Sequence, residues 1–163
     1  MRYAPDPVLR TKTQRVRLVN SPSLQKLIDD MIESMRYYEG VGIAANQVGS
    51  LQRVAIIQVP EDPEPRVLIN LTILRREGER EVEEGCLSIP GYRGVVKRSE
   101  RVRARALDRH GREVRIRATD LLAQALEHEA DHLDGVLYIE RLVGRDKLWK
   151  LEPVEKGAEA SPG

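Results

Sequence analysis

His128 and His132 stand four residues apart in the stretch Leu126-Glu127-His128-Glu129-Ala130-Asp131-His132. On a helix, positions i and i+4 share a face, so both imidazoles can reach one metal ion. The same segment carries Leu122, Ala125, Leu126 and Leu133, which spread apolar surface over more than one side. A helix of that kind is expected to be buried on more than one side. Thr119 is a suitable N-cap and Gly135 lies past the end, which predicts a helix over about residues 119–134.

The surroundings read as short strands and one further helix. Ser21 and Pro22 suit an N-cap and a first helical position. Leu24, Leu27, Ile28, Met31, Met35 and Tyr38 then follow at spacings of three and four, up to Gly40. Val54–Val59 and Val67–Leu74 are apolar enough for buried strands. Arg101–Leu107 alternates with period two and Val114–Ile116 returns after the turn Asp108-Arg109-His110-Gly111, which predicts a hairpin with His110 exposed at its tip. Glu83–Gly91 reads as a strand end followed by a turn. A short strand over Val136–Ile139 and a short helix over Asp146–Leu151 are expected, with Pro153 stopping the latter. The opening Pro5-Asp6-Pro7 is extended or turn-like. These elements make an α+β fold with antiparallel or mixed strands. A single domain over 1–152 and a polar, frayed tail over 153–163 are expected.

The chain of 163 residues is 33% charged and 40% apolar, which excludes a disordered chain. Net charge is +1, so no global field points to nucleic acid or membrane. Arg98, Arg101, Arg103, Arg105 and Arg109, and again Arg112, Arg115 and Arg117, alternate with apolar residues and read as solvated strand faces. With no Phe and one Trp there is no visible platform for stacking bases. The start has no apolar leader and no run reaches membrane-spanning length, so a cytoplasmic location is expected. One cysteine, Cys86, leaves no partner for an internal disulfide.

H-E-x-x-H is a metallohydrolase pattern in which the glutamate, here Glu129, works beside the metal as general acid/base. Two histidines do not complete such a site, because zinc-type centres use three protein ligands and an open position. The extended pattern that adds Gly and a third His fails, since Tyr138 occupies the last position. A metalloprotease using Glu152 is the alternative that spacing leaves open. Glu152, however, adjoins Pro153 in a stretch with little to fix it. Cys86 is the better third ligand: a lone thiol beside Gly85, where thiolate binds zinc and iron(II) strongly.

Glu84-Gly85-Cys86-Leu87-Ser88, His128-Glu129-Ala130-Asp131-His132 and Gly40-Val41-Gly42-Ile43-Ala44-Ala45-Asn46-Gln47 resemble the three signature motifs of peptide deformylases, in that family's order. The opening Pro5-Asp6-Pro7-Val8-Leu9-Arg10 is similar too, and the likeness spans about residues 5–142. It implies a fold in which the strands wrap around the central His128/His132 helix. It implies removal of the N-formyl group from formylmethionyl nascent peptides, releasing formate. Cys86, His128 and His132 would hold one divalent ion, Fe(II) in the cell, with Zn, Ni or Co as substitutes. Hydroxide generated at that ion would attack the formyl carbonyl, with Glu129 moving the proton. The Gln47 amide and Leu87 N–H would steady the oxyanion. Gly42 and Ile43 would offer main-chain groups to an extended peptide. Leu121, Gln124 and Ala125 would line the methionine pocket, with Arg93 near peptide carbonyls. Glu84 and Arg98 are placed to brace the cysteine loop, or to form an ordinary surface pair. A non-catalytic peptide-binding relative is the further alternative. Asn46 departs from the proline or small apolar residue usual at its position. Residues after Leu151 are too few for the long C-terminal helix some members use on the ribosome, so any ribosome contact is expected to be transient.

Overall fold

The computed structural model describes residues 1–151. The expected tail over 153–163 and Glu152 lie outside the described residues. The fold is α+β. Five strands form one antiparallel sheet in the order β1-β2-β3-β6-β7: β1 Gly42–Ala44, β2 Val54–Ile57, β3 Arg66–Glu77, β6 Arg101–Leu107 and β7 Glu113–Thr119. A second antiparallel sheet has the order β4-β5-β8, from β4 Arg80–Cys86, β5 Ile89–Arg98 and β8 Leu148–Lys150. Two long helices, α1 Pro22–Tyr37 and α2 Asp120–Leu133, complete the fold.

Within the five-stranded sheet β2 is covered on both faces, which is why its sequence is apolar throughout. Val54 and Ile56 join Leu24, Ile28, Met31 and Met35 of α1 in one core. Ala55 and Ile57 join Ala123, Ala125, Leu126 and Leu133 of α2 in another. Period two sends alternate residues to opposite faces, so a strand buried on both sides needs apolar residues at every position. β6 and β7 are covered on one face only. Val102, Ala104, Ala106, Ile116 and Ala118 are buried, whereas the arginines at 101, 103, 105, 112, 115 and 117 are exposed, as expected. Arg109 is half-buried, and Arg98, expected on a solvated face, is buried because it binds the Glu84 and Asp131 carboxylates. His110 is exposed at the hairpin tip.

α1 begins as its sequence signals: the Ser21 hydroxyl accepts from Leu24 N–H and Pro22 opens the helix. It ends earlier than the apolar stripe suggests. Gly40 N–H donates to Met35 C=O at 2.9 Å and Glu39 N–H to Arg36 C=O at 3.1 Å. Glu39, not Gly40, takes the left-handed conformation, with φ 56°. This reverse turn ends the helix at Tyr37 and leaves Tyr38 exposed rather than in the core.

Two expectations near the C-terminus fail. Tyr138–Arg141 is a 3₁₀ turn instead of a strand, because Val136 N–H turns back to Asp131 C=O at 2.8 Å and Glu140 N–H to Leu137 C=O at 2.9 Å. The expected helix over Asp146–Leu151 is one 3₁₀ turn, Arg145–Lys147, followed by β8. A lone turn with little apolar surface gains little from helix formation. Pairing with the β5 edge, Tyr92 opposite Lys150 and Gly94 opposite Leu148, satisfies its main chain instead.

The chain's first residues run beneath the end of α2. Thr13 gives both its N–H and its hydroxyl to Leu133 C=O, each at 2.8 Å. Gly135 has φ +77°, and a Cβ there would lie 2.6 Å from the Arg10 carbonyl oxygen, so only glycine fits.

Candidate active site

Cys86 closes β4 at the tight turn into β5, where it pairs with Ile89. This turn carries its sulfur to the face of α2 that bears the two histidines. Cys86 Sγ lies 3.2 Å from His132 Nε2. One ligand atom from each of Cys86, His128 and His132 falls within 4.8 Å of the others. A tetrahedral ion with ordinary zinc–sulfur and zinc–nitrogen bonds would hold S and N about 3.5 Å apart. The donor set therefore fits a divalent metal ion in spacing and in chemistry.

The histidines are not free to turn. Glu84 Oε1 lies 2.7 Å from His128 Nδ1. An ionised carboxylate only accepts, so Nδ1 carries the proton and Nε2 is the ring nitrogen left free to bind an ion. Glu84 is itself gripped by Arg98, whose Nε and Nη2 donate at 2.7 and 2.8 Å. Arg98 Nη1 donates to Asp131 at 2.8 Å, and Arg141 donates to the same carboxylate at 3.0 and 3.1 Å. Glu84 and Arg98 are each 4% exposed, which settles the choice left open by the sequence in favour of an internal brace.

Electrostatics follow from burial and contact. Burial pushes Glu84 up, but Arg98 and then His128 outweigh it and hold the carboxyl at about 2. Burial also works against charge on Cys86, yet the charge of His132 and hydrogen bonding from both histidines hold the thiol well below its usual value. Both effects favour the thiolate, the form in which a cysteine can bind a metal ion. For His128, burial lowers the value, while Cys86 and Glu84 together raise it well above the ordinary one.

Arg98→Ala removes the guanidinium that two buried carboxylates share, leaving Glu84 with His128 alone and Asp131 with Arg141 alone. We expect a loss of about 3–5 kcal/mol of stability, read by urea unfolding. Glu84 has its folded value below the ordinary 4.5, so its contribution is complete above that pH and vanishes as pH falls toward 2. The Arg98→Ala penalty should shrink over the same window; an equal penalty at both ends would assign it to packing alone.

Glu129 follows His128 on α2 and is 3% exposed. Its Oε1 is buried without a hydrogen-bond partner. Burial is the largest influence on it and leaves its value raised, despite the two histidines. Such a carboxyl holds a proton more readily than an exposed one does. Gly42 is what makes room for it. A Cβ on Gly42 would lie 2.6 Å from Glu129 Oε2 and 3.1 Å from Cδ. Gly42→Ala should displace the Glu129 side chain and lower kcat about 100-fold, with the melting midpoint nearly unchanged. An unaltered kcat would show that Glu129 tolerates the shift.

Gln47 lies in a 3₁₀ turn, Ala45–Val48, directly after β1. Its Oε1 accepts from Ala44 N–H at 2.9 Å, which turns Nε2 toward Ser88 Oγ at 3.1 Å and Cys86 Sγ at 3.6 Å. Ser88 is fully buried, and its N–H also donates to Cys86 Sγ at 3.4 Å. A cavity of about 440 Å³ opens over the cluster, and it includes Gly42, Gln47, Cys86, Leu87, Arg93, Leu121, Gln124, Ala125, His128 and Glu129 in its lining. His132 is wholly buried beneath it. Ile43 does not line the cavity: its side chain packs into the α1 core. Gln124 Nε2 donates to Glu83 C=O at 3.2 Å and Arg93 Nε to Glu83 Oε1 at 2.8 Å, so the polar rim is tied down.

Ser88, Asp131 and Arg141 were not legible as supports from the sequence. Asp131 lies inside the H-E-x-x-H stretch, and its position beside a buried histidine was the one available signal. Tyr138, which replaces a third histidine in the longer metalloprotease pattern, stacks on His128 with ring centroids 6.4 Å apart. Burial and then Cys86 push its hydroxyl up to about 12.

A thiolate and two imidazoles around one point, with a buried carboxyl beside them, suit hydrolases that work with a bound metal ion. Comparison with known proteins narrows the class. The polypeptide deformylase family model matches residues 1–148. A peptide deformylase of Dehalococcoides mccartyi strain BAV1 is 49% identical over 155 residues, covering 95% of this chain and 92% of that protein. One from Thermodesulfovibrio yellowstonii is 49% identical over 145 residues, covering 85% of each chain. Among solved structures, peptide deformylase from Synechococcus elongatus in complex with actinonin superposes with a TM-score of 0.86 at 39% identity, covering 90% of this chain and 82% of that one. The Thermotoga maritima enzyme gives 0.84 at 37% identity, covering 88% and 97%. The chain belongs to the polypeptide deformylase family.

Proposed function

We infer that this protein is a metal-dependent hydrolase that removes the N-formyl group from the formylmethionine of nascent polypeptides. The observation that carries the reading is the convergence of Cys86, His128 and His132, with ligand atoms within 4.8 Å of one another, on the cavity that also holds Glu129. Cys86 Sγ and one nitrogen each of His128 and His132 would hold the ion. A divalent ion there supplies Lewis acidity, making water acidic and polarising a carbonyl.

The chain's own groups do the rest. Glu129 takes a proton from the attacking water and passes it to the departing amine. The new C–O bond and the broken C–N bond yield formate and a free α-amine. The Gln47 amide and Leu87 N–H donate to the oxygen that gains charge during attack. β1 is an edge strand that can take an extended peptide on its open side; in its alternation Gly42 presents its main-chain groups there, whereas Ile43 turns its own toward Ile56 of β2. Leu121 and Ala125 supply apolar wall for the methionine side chain, with Gln124 and Arg93 at the rim.

Fe(II) is the metal we assign in the cell, with Zn, Ni or Co able to replace it. The substrate partner is a nascent chain with a formylated N-terminus, met in the cytoplasm and only transiently at the ribosome. No helix among the described residues is long and apolar enough to cross a membrane. The decisive experiment is formate release from formyl-Met-Ala by protein purified anaerobically with iron, compared with zinc and nickel forms. We expect turnover in all three, with the iron form losing activity in air as its thiolate site oxidises. No formate from any form would overturn the reading.

A further inference from the structure

Asn46 is wholly buried, yet it is a primary amide where a small apolar residue would fill the turn. Its Nδ2 donates to the main-chain carbonyl of His132, a residue 86 positions away. That carbonyl also accepts Gly135 N–H at 2.9 Å. Asn46 Oδ1 is buried with no partner. Half of the amide's bonding capacity is therefore unused, which is costly in an interior, so packing does not explain the residue.

The two ends of this bond carry different functions. His132 offers its Nε2 to the cluster from the last turn of α2. Gln47, the neighbour of Asn46 in the 3₁₀ turn, aims its amide at Cys86 and Ser88. We propose that Asn46 is a positioning residue that couples the metal ligand His132 to the oxyanion donor Gln47, by pinning the end of α2 to the turn after β1. It contacts neither substrate nor metal. Without the bond, the turn and the helix end move independently. The ligand ring and the Gln47 amide then lose their common reference.

This rests on the deformylase reading. The test uses Asn46→Ala and Asn46→Val, which differ in volume but both lack the donor. Each is loaded with zinc, and metal release to a chelator is timed. We expect release about tenfold faster than in the unaltered protein. We also expect kcat for formyl-Met-Ala to fall about tenfold while KM changes less than twofold, because Gln47 acts only as charge develops. A purely structural role would lower the melting midpoint and leave metal release and kcat alone, and that result overturns the proposal. A variant-free check is the Asn46 side-chain amide in the unaltered protein: slow hydrogen exchange by NMR supports the bond, and fast exchange overturns it. If the unaltered protein binds no metal or releases no formate, the deformylase reading fails. If it does both and the folded variants match it, only the role of Asn46 fails.

Discussion

Glu129→Gln should keep its metal and lose about 10²–10⁴-fold in kcat for formyl-Met-Ala. The amide has nearly the shape of the carboxylate, so the packing against Gly42 survives. It cannot accept the proton from water or return it to the amine. The carboxyl it replaces is 3% exposed, with a value raised mainly by burial, and that environment is what makes the proton movable. Metal analysis and steady-state kinetics on the same preparation decide the matter. Retained metal with lost turnover separates proton transfer from ligation. Full turnover would remove Glu129 from the chemistry, and lost metal would make it a structural support instead.

Cys86→Ala should strip the site of its ion. Removing the thiolate leaves two imidazoles, too few for tight binding, so affinity should fall by more than about 100-fold, the upper range for an outer supporting residue. The measurement is metal content after dialysis against a weak chelator, with Glu152→Ala as the comparison. We expect the Glu152 variant to retain one ion per chain. Metal lost on Glu152→Ala and kept on Cys86→Ala would favour the protease alternative. Cys86→Ala also removes the acceptor that Gln47 Nε2 and Ser88 N–H share, at 3.6 and 3.4 Å, so the turn after β4 should loosen with it.

Local patterns were legible wherever one element decides them. The spacing of His128 and His132 fixes them to one face of α2 whatever surrounds it. The apolar run of β2 announced a buried strand, and the alternation of β6 and β7 announced a solvated face. Legibility failed where a choice depended on a distant partner. Leu148–Lys150 became a strand because β5 had a free edge nearby, which no local pattern could reveal. Tyr38 fell out of the α1 stripe because Glu39 reversed the chain a residue early.

The site divides in the same way. Sequence alone determined the histidine pair, the glutamate between them and the single thiol, because their spacing and chemistry are properties of the chain itself. Only the tertiary structure decided how they are held. Arg98 could pair with Glu84 at the surface or inside, and it lies inside because β4, β5 and α2 close around it. Asn46 reaches His132, and Ser88 meets Gln47, across intervals of 86 and 41 residues. Hydrogen bonds of a few ångströms between such distant positions exist only once the sheet and helix have packed, since their geometry is set by the whole fold.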